Sequence, residues 1–418
     1  MSKIKKITHQ QLLFFTRAFF FALFFLLLGG IVGFQLAKKD LVTPISFPSQ
    51  EKTDMSLFWY TWNLLEEKYL KKTSLDPQKM IYGAISGMVS SLEDPYTIFL
   101  PPEENKITKE DLNGEFGGVG IQLGYKEKML AVISPLENTP AQKAGIKAGD
   151  IILKIQDESK KLDISTEKIS LPEAIQAIRG PEGTKIQLTI LREGIEKPFS
   201  VEIVRAKITL PTVVWRQIDY QGRKIAYVQV LRFAQIMEKQ WFDWLKTVAV
   251  LKKDPQFAGV ILDLRNNPGG YLNGAVFLAS EFLKEGVVVE QEYSSGKKDY
   301  YRVTRKGSLL DVPLVVLINQ GSASASEILA GALQYYQRAI LIGEKTFGKG
   351  TVQEPQELPR GAGLHITISR WLLPGEGDID QKGVFPDIEV KSTDIENNQD
   401  DLVLEKAKEE IIKLKGIE

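Results

Sequence analysis

The chain of 418 residues contains no cysteine and only two histidines, His9 and His365. The absence of cysteine excludes disulfide bonds, thiol catalysis, zinc sites with thiolate ligands and a lipid-modified N-terminal cysteine. It leaves the redox compartment open, because a chain without thiols is stable in either one. Since no cluster of histidine and carboxylate residues has ligand spacing, we expect no metal and no other cofactor.

The sequence also lacks an excess of charge of one sign. Lys+Arg and Asp+Glu number 53 each, so no global basic surface favours nucleic acid as a partner. A hydrophobic fraction of 43% and a charged fraction of 25% are typical of globular proteins. The length is sufficient for two or three domains.

A long apolar run near the N-terminus covers residues 18–34, and with its flank to Ala37 it approaches the roughly 20 residues of a membrane-spanning helix. Basic residues are more numerous before the run than after it: Lys3, Lys5, Lys6 and Arg17, then Lys38 and Lys39. We therefore expect residues 1–39 to form a cytoplasmic tip and a single-pass anchor. Residues 18–37 would cross the lipid bilayer of the cell membrane, with the body on the extracytoplasmic side. A cleaved signal peptide is the alternative, although Gln35 fits its cleavage site poorly.

The segment that follows changes from extended to helical character. Residues 40–54 contain Pro44 and Pro48 and predict a tether. Residues 55–113 predict a helical N-terminal domain, in which Asp94-Pro95-Tyr96 ends a second helix. Nothing in these helices indicates chemistry.

Residues 114–206 have a different pattern, with short strands and glycine turns. The segment Pro140-Ala-x-x-Ala-Gly-Ile-x-x-Gly-Asp-x-Ile152 closely resembles PDZ domains. In the implied PDZ domain, the carboxylate-binding loop would comprise Gly118, Val119, Gly120 and Ile121. Its glycines let successive backbone N–H groups converge on a terminal carboxylate, and the strand from Ile121 offers an edge to an extended peptide. A plain β-turn in a small sheet is the alternative.

Strands and helices alternate over residues 207–390, which predicts an α/β domain. Two polar segments, Asp263–Gly270 and Asn319–Ser324, follow strands, so they can converge at one edge of the sheet. A serine between a strand and a helix suits a nucleophile, because the helix N-terminus favours negative charge there. Residues 391–418 predict a C-terminal extension with an amphipathic helix from 401 to 415.

The residues alone leave the nucleophile open among Ser322, Ser324 and Ser326, the last of which also suits a helix cap. A lysine that would activate such a serine lies in the segment Gly343–Gln353. It acts as a base only when neutral, and burial in an apolar site lowers its pKa. Lys349, with Phe347 nearby, is compatible with such a site.

Three motifs together resemble the carboxyl-terminal processing peptidases, or tail-specific proteases. They are Asp263-Leu-Arg-Asn-Asn-Pro-Gly-Gly270, Gly321-Ser-Ala-Ser-Ala-Ser-Glu-Ile328 and Thr346-Phe-Gly-Lys-Gly-Thr-Val-Gln353. The similarity covers residues 55–390 and implies a multidomain α/β (α+β) protein with a ClpP- or crotonase-like serine protease core over 207–390. It further implies an endopeptidase that recognises protein C-termini and cleaves peptide bonds through an acyl-enzyme. Together with the apolar run at residues 18–37, we expect this endopeptidase to be membrane-anchored.

The resemblance also assigns roles to individual residues. Ser324 is the expected nucleophile and Lys349 the general base, whose amine Gln353 would orient from one helical turn further on if that segment is helical. The backbone N–H groups of Ala325 and Gly270 would form the oxyanion hole.

Other polar residues receive weaker assignments. Arg179, beside a turn of the PDZ-like region, is a candidate regulatory contact, and His365 lies in an alternating strand that indicates a structural role. Asp263 and Glu327 are interpreted as structural or capping residues. The stretch Trp371–Asp380 departs from the family pattern, which leaves the substrate preference open.

The expected partners are protein or peptide substrates with exposed C-termini and the lipid bilayer, and a homo-oligomer is compatible with the sequence. The alternative function is a catalytically inactive, membrane-tethered PDZ scaffold. A crotonase-like acyl-CoA enzyme would rest on the fold analogy alone.

Overall fold

The computed structural model describes residues 53–167, 169–375, 377–391 and 401–416. The predicted membrane-spanning helix over residues 18–37 lies outside them. Among the described residues, no helix has both the length and the apolar character needed to cross a bilayer. The chain divides into two compact units, one up to Pro77 and one from Gln78 onward.

The first unit contains helix α1 (Ser56–Lys68) and a 3-10 turn at Lys72–Ser74, which confirms the first predicted helix. The Asp54 carboxylate accepts a hydrogen bond from the Ser56 N–H at 2.9 Å just ahead of the helix. No residue of α1 is buried within its unit. The exposed apolar residues of this unit include Leu57, Trp59, Tyr60 and Leu65.

The second unit begins with helix α2 (Pro77–Ser90), which packs against the short strand β1 (Ile98–Leu100). The rings of Tyr82 and Phe99 make this contact, with centroids 5.7 Å apart. The second predicted helix is therefore also confirmed.

Helix α3 (Pro102–Asn113) has a proline at its first position and ends at Gly114, whose φ of +76° is the left-handed conformation of a helix terminator. It leads into strand β2 (Glu115–Gly118), which pairs antiparallel with β9 (Ala206–Thr209). Strand β2 precedes the PDZ-like region in the chain, and β9 follows it.

The PDZ-like region is an antiparallel sheet with two helices. Its strands follow the order β3-β4-β5-β7-β8, with β6 on β5. The elements are β3 (Ile121–Lys126), β4 (Met129–Pro135), α4 (Pro140–Lys143), β5 (Ile151–Asp157), β6 (Leu162–Ser165), α5 (Leu171–Ile178), β7 (Lys185–Leu191) and β8 (Phe199–Val204). Helix α5 starts with a capping box between Ser170 and Glu173, which satisfies backbone donors at its N-terminus.

The largest core belongs to a six-stranded sheet of order β10-β11-β12-β15-β16-β20, parallel except for the antiparallel pair β10–β11. The strands are β10 (Val213–Tyr220), β11 (Arg223–Val230), β12 (Phe257–Asp263), β15 (Leu314–Ile318), β16 (Ile340–Gly343) and β20 (Ile388–Glu389). The helices are α6 (Met237–Leu251), α7 (Leu272–Phe282), α8 (Ala325–Tyr335) and α9 (Leu402–Leu414).

Both faces of this sheet are covered. Every residue of β12 and β15 is buried, as expected for parallel strands that carry helices on both sides. Val260 and Leu262 pack with the helices α6 to α8, whereas Ile261 between them packs with α9. The predicted amphipathic C-terminal helix is thus confirmed.

A second sheet follows the order β1-β18-β13-β14, and both β17 and β19 pair with β18. Its remaining strands are β13 (Val287–Tyr293), β14 (Lys298–Arg302), β17 (Thr351–Glu357), β18 (Gly363–Leu373) and β19 (Gly377–Asp378). Through β1, this sheet brings the segment after α2 beside the segment that carries the lysine motif. The architecture is the mixed α/β, multidomain fold predicted from the sequence.

Candidate active site

A buried strand leads directly to Ser324. The chain leaves β15 at Ile318, turns, and begins α8 at Ala325. Ser324 has φ +54° and ψ −115°, a conformation that side chains with a Cβ rarely adopt, so the turn is strained. The N-terminus of α8 directs N–H groups and the positive end of its dipole toward this turn, which favours negative charge there.

The two neighbouring serines have structural hydrogen bonds. Ser322 Oγ donates to the Leu264 carbonyl and Ser326 Oγ donates to the Asn267 carbonyl, both at 2.8 Å. Both serine side chains are fully buried. They tie the serine turn to the loop after β12, which leaves Ser324 as the serine of this turn that lines the cavity described below. Ser326 contacts that loop rather than capping α8.

The loop after β12 lies directly against Ser324. A Cβ added to Gly269 would stand 2.8 Å from the Ser324 Cβ and 3.0 Å from the Ala325 nitrogen. Gly270 has φ +136°, and a Cβ there would lie 2.3 Å from the Phe233 carbonyl oxygen. Only glycine permits this approach. Gly270 and Ala325 both line the cavity that contains Ser324.

Lys349 is half-buried in the same cavity. Its Nζ lies 4.9 Å from the centroid of the Tyr96 ring. Burial lowers the pKa of Lys349 below its usual value, while the charges of Asp94 and Glu327 act in the opposite direction. The net lowering moves the amine toward the neutral form that can accept a proton.

Gln353 lies in strand β17, so the condition of a helical segment between Lys349 and Gln353 is not met. The segment pairs antiparallel with β18, and its register shifts between Val352 and Gln353. The Gln353 amide nitrogen donates to the Thr351 and Thr367 hydroxyls at 2.9 and 3.1 Å. Both amide protons are then used, and the carboxamide oxygen is the group left to accept.

Tyr96 was not among the predicted site residues. The Asp94 carboxylate holds its loop by accepting from the Tyr96 N–H at 3.0 Å and the Thr97 hydroxyl at 2.6 Å. Thr97 Oγ in turn accepts from the Thr367 N–H at 3.0 Å, which fixes the loop to β18. The proline turn is visible in the sequence, but its partner strand lies far along the chain, so no local signal indicates the contact with Lys349.

His365 lies on β18 opposite Ile98 and reaches the cavity. Burial lowers the pKa of His365, and the charge of Lys349 lowers it further, whereas Glu357 opposes both. At neutral pH His365 therefore favours its neutral form.

The cavity has a volume of about 500 Å³. Its polar lining includes Ser324, Lys349, Gln353 and His365, together with the backbone at Gly269, Gly270 and Ala325. Its apolar lining includes Leu112, Leu272, Ile328, Val352 and Trp371. Trp371 begins the stretch that departs from the family pattern, so this departure reaches the wall of the cavity.

Asp263 is structural, in agreement with its interpretation from the sequence. It is fully buried and accepts from the Tyr227 hydroxyl at 2.7 Å and from the Arg265 guanidinium. Arg265 also binds Asp401 at 2.9 Å, which joins the loop after β12 to the start of α9. Within the described ranges, no group of three or more histidine and carboxylate side chains is arranged to hold a metal ion.

A second cavity, of about 330 Å³, lies in the PDZ-like region. Gly118, Val119, Gly120 and Ile121 line it, together with Ile175 and Ile178 of α5. Gly120 has φ +79°, and a Cβ there would collide with Thr139 at 2.4 Å. Strand β3, which starts at Ile121, is at the edge of its sheet, so its outer side is open to an added strand.

Arg179 lies at the end of α5 and lines this second cavity. Its guanidinium carbon is 4.1 Å from the centroid of the Phe116 ring, and its Nη2 binds Asp111 of α3 at 3.0 Å. Thr108 and Leu112, also on α3, line the cavity of Ser324. Helix α3 therefore lines the cavity of Ser324 and binds Arg179, which lines the second cavity.

Three family models match the chain. Residues 35–104 match the N-terminal domain of the activating protease CtpB, and residues 106–191 match the PDZ domain. Residues 224–390 match peptidase family S41. The PDZ and peptidase matches fall on the PDZ-like region and on the α/β core that carries Ser324.

Two relatives extend this similarity over nearly the whole chain. The carboxyl-terminal-processing protease of Synechocystis sp. is 36% identical over 384 residues, which cover 89% of this chain and 87% of that protein. The carboxy-terminal processing protease CtpB of Bacillus subtilis is 32% identical over 379 residues, covering 88% and 75% respectively.

A solved structure from Bacteroides fragilis, described as an S41 protease, aligns with a TM-score of 0.50 and 17% identity, over 86% of this chain and 97% of that one. At this identity the likeness concerns the fold alone. The family follows from the identity and coverage of the sequence relatives: the chain belongs to the carboxyl-terminal processing peptidases of family S41, serine-type peptidases with a PDZ domain.

Proposed function

We propose that this protein is a membrane-anchored endopeptidase that cleaves peptide bonds with a Ser324/Lys349 dyad. The observation that carries the proposal is the shared cavity, which is lined by a serine in a strained turn and by a half-buried lysine of lowered pKa. Such a pair supplies the two groups that an acyl transfer to serine requires, a hydroxyl and a base that is neutral near the working pH.

The reaction proceeds in two stages. The neutral Lys349 amine accepts the proton of the Ser324 hydroxyl, and Oγ forms a bond to the peptide carbonyl carbon. The N–H groups of Gly270 and Ala325 bind the resulting oxyanion. When the C–N bond breaks, the Lys349 ammonium returns its proton to the leaving amine. Water then attacks the ester, with Lys349 again as the base, and releases the new C-terminus and the serine.

Gln353 orients the lysine in this mechanism. Because its amide protons are used by two threonine hydroxyls, its oxygen is the group that accepts from the Lys349 amine. The apolar wall with Leu272, Ile328 and Trp371 supports an apolar substrate side chain beside the scissile bond.

The experiment compares the full-length chain with Ser324→Ala and Lys349→Ala on a loosely folded reporter with an apolar C-terminus. Ser322→Ala serves as the matched control because Ser322 binds the Leu264 carbonyl outside the cavity. We expect both dyad variants to lose cleavage while folding is retained and Ser322→Ala to remain active. Cleavage that survives Ser324→Ala would contradict the dyad, and an unmutated chain that never cleaves would favour a PDZ scaffold.

Recognition of substrate C-termini is the role of the PDZ domain in this proposal. The loop Gly118–Ile121 would bind the terminal carboxylate and β3 would add the peptide as a strand. The PDZ domain of a Vibrio cholerae carboxy-terminal protease, 28% identical over 23% of this chain and 99% of that one with a TM-score of 0.22, was solved in complex with a peptide.

Regulation through Arg179 belongs to the same proposal, because Arg179 contacts α3 and α3 lines the catalytic cavity. A peptide in the PDZ cavity would reach Arg179 and change its contact with Asp111. We expect Arg179→Met to reduce the stimulation of cleavage by a C-terminal peptide, measured as the ratio of rates with and without it. An unchanged ratio would remove Arg179 from the mechanism.

The location and assembly of the protein complete the proposal. Residues 18–37 anchor the chain in the cell membrane with its catalytic body on the extracytoplasmic side, which protease protection of intact cells tests. A homo-oligomer is supported by the exposed apolar residues of α1, among them Leu57, Trp59 and Tyr60. The mass of the detergent-solubilised protein, measured by sedimentation, distinguishes a monomer from a homo-oligomer.

A further inference from the structure

Glu327 is a fully buried carboxylate beside the catalytic residues. Its Oε2 accepts from the Ser324 N–H at 2.7 Å and from the Lys349 N–H at 3.0 Å. Its Oε1 accepts from the Thr346 hydroxyl and from the Gly348 N–H, both at 2.6 Å. One side chain therefore binds the backbone of both residues of the dyad.

All four partners of this carboxylate are donors. Three are backbone N–H groups, and the fourth is the Thr346 hydroxyl, which donates to Glu327 while its oxygen accepts from the Val384 N–H at 2.7 Å. An ionised carboxylate accepts only, whereas a glutamine of the same shape would direct an NH₂ group at some of these donors. The site therefore requires an acceptor on both oxygens, and a buried donor without a partner is costly.

The two segments joined by Glu327 come from different parts of the sheet. Ser324 follows β15, and residues 346–349 follow β16. Another direct backbone link between them is the hydrogen bond from the Phe347 N–H to the Ser322 carbonyl, at 3.0 Å. The relative position of Ser324 and Lys349 thus depends heavily on the Glu327 carboxylate. This is a larger role than the helix capping that its position in α8 indicates.

We propose that Glu327 is the positioning residue of the catalytic centre, whose carboxylate holds the backbone of Ser324 and of Lys349 at the separation that proton transfer requires. The inference rests on the proposed Ser324/Lys349 function. Proximity of reacting groups is sensitive to displacement, and a shift of about 1 Å can reduce a rate on the order of 100-fold.

The charge of Glu327 provides a readout that packing alone would not change. The groups that face the Lys349 amine are Asp94 and Tyr96 from the loop after α2, Glu327 from α8 and His365 from β18. Burial lowers the pKa of Lys349, and the two carboxylates raise it. Removal of the Glu327 charge therefore moves the pKa of Lys349 further down.

The experiment measures kcat, KM and the pH profile of full-length Glu327→Gln, with Glu281→Gln as the matched control. Glu281 is also a fully buried helix carboxylate that accepts from donors only: the Ser308 N–H and hydroxyl at 2.6 Å, and Arg305. It does not line the catalytic cavity. Both variants lose thermal stability, so a comparison of the two separates catalysis from folding.

We expect Glu327→Gln to lose about 100-fold in kcat with little change in KM, and the rising limb of its pH profile to move to lower pH. Glu281→Gln keeps the kcat and profile of the unmutated protein. A Glu327→Gln variant with unchanged kcat, or an equal loss in Glu281→Gln, overturns the inference. If Ser324→Ala also retains cleavage, it is the proposed function that fails.

A second variant decides the matter if Glu327→Gln does not fold. Thr346→Val removes one donor to Glu327 and keeps the carboxylate. A fall in kcat at constant KM, with the pH profile in place, supports the positioning role. Folded Thr346→Val with unchanged kcat overturns it.

Discussion

In the PDZ-like region and in the catalytic core, a buried charged side chain lies at one end of a helix beside the cavity. The two charges have opposite signs. Helix α5 ends at the PDZ cavity, where Arg205 donates to the Ile178 carbonyl at 2.8 Å. Helix α8 begins at the catalytic cavity, where Glu327 accepts from N–H groups. The sign follows the helix dipole, negative at the carbonyl end and positive at the amide end.

The two charges differ in how they are compensated. Arg205 forms an ion pair with Asp157 at 2.6 Å, and both side chains are fully buried. Glu327 is satisfied by hydrogen bonds from backbone N–H groups and one hydroxyl. A buried ion pair can be replaced as a pair, whereas a lone carboxylate surrounded by donors has no equivalent substitute. We therefore expect the end of the PDZ helix to tolerate replacement of both charges together, whereas the start of the catalytic helix does not tolerate replacement of Glu327.

The largest effect is expected from breaking the Arg205–Asp157 pair. Arg205→Leu leaves Asp157 as an uncompensated buried charge and should lower the free energy of unfolding by about 3–5 kcal/mol, measured by chemical denaturation. The double variant Arg205→Leu/Asp157→Leu should recover the part of this loss that comes from the unpaired charge, but not the part that comes from the bond of Arg205 to the Ile178 carbonyl. Lys185→Met is the matched control, since its ion pair with Glu202 is exposed to solvent and should contribute little to stability. Equal losses in the single and double variants would contradict the paired exchange.

A second prediction contrasts two cations. Arg205 lies in an ion pair with Asp157, whereas burial lowers the pKa of Lys349. The neutral amine is the active form, so kcat/KM should rise with pH through a midpoint below 10.5, the ordinary value for lysine. Asp94→Asn removes a charge that raises this pKa, and the midpoint should then fall.

Thr97→Val is the control for that measurement. It removes the hydroxyl that binds Asp94 but keeps the carboxylate charge. A pH profile that shifts in Thr97→Val as far as in Asp94→Asn would attribute the effect to loop geometry instead of charge.

The smallest effect concerns the second cation at the end of α5. Lys160 Nζ donates to the carbonyls of Gln176 at 2.9 Å and Arg179 at 2.5 Å. Because this lysine is largely exposed, Lys160→Met should cost about 0.3–1 kcal/mol of unfolding free energy. Thermal unfolding at low and high salt tests it, and the difference should shrink as salt increases. If Lys160→Met lowers the unfolding free energy as much as Arg205→Leu, solvent exposure does not explain the difference between the two cations.

The sequence predicts those parts of the fold that repeat locally. The apolar runs of β12 and β15, the helical periods of α1 and α9, and the glycine turn before β3 each carry their own signal. For Gln353, the four-residue spacing from Lys349 is compatible with a helical turn, but the segment is a strand. Its strand depends on pairing with β18, which no local pattern reveals.

The catalytic site shows the same limit. The residues alone leave three serines equivalent, and the resemblance to the family selects Ser324. The distinction rests on bonds from Ser322 and Ser326 to carbonyls of a loop that follows another strand. The contact of Tyr96 with Lys349 depends in the same way on segments that are distant in sequence and meet only in the folded protein. So do the hydrogen bonds that Glu327 accepts from Thr346 and Gly348.

The close approach of Gly270 to Phe233 constrains which sequences this core can accept. A methyl group at position 270 would overlap a backbone oxygen, and no rotamer change can move that oxygen aside. The glycines at 145, 149 and 183 also have positive φ, yet nothing lies within 4 Å of an added Cβ. Under selection for activity, those three positions can accept asparagine or aspartate, the residues that best tolerate a positive φ. Position 270 can accept only glycine.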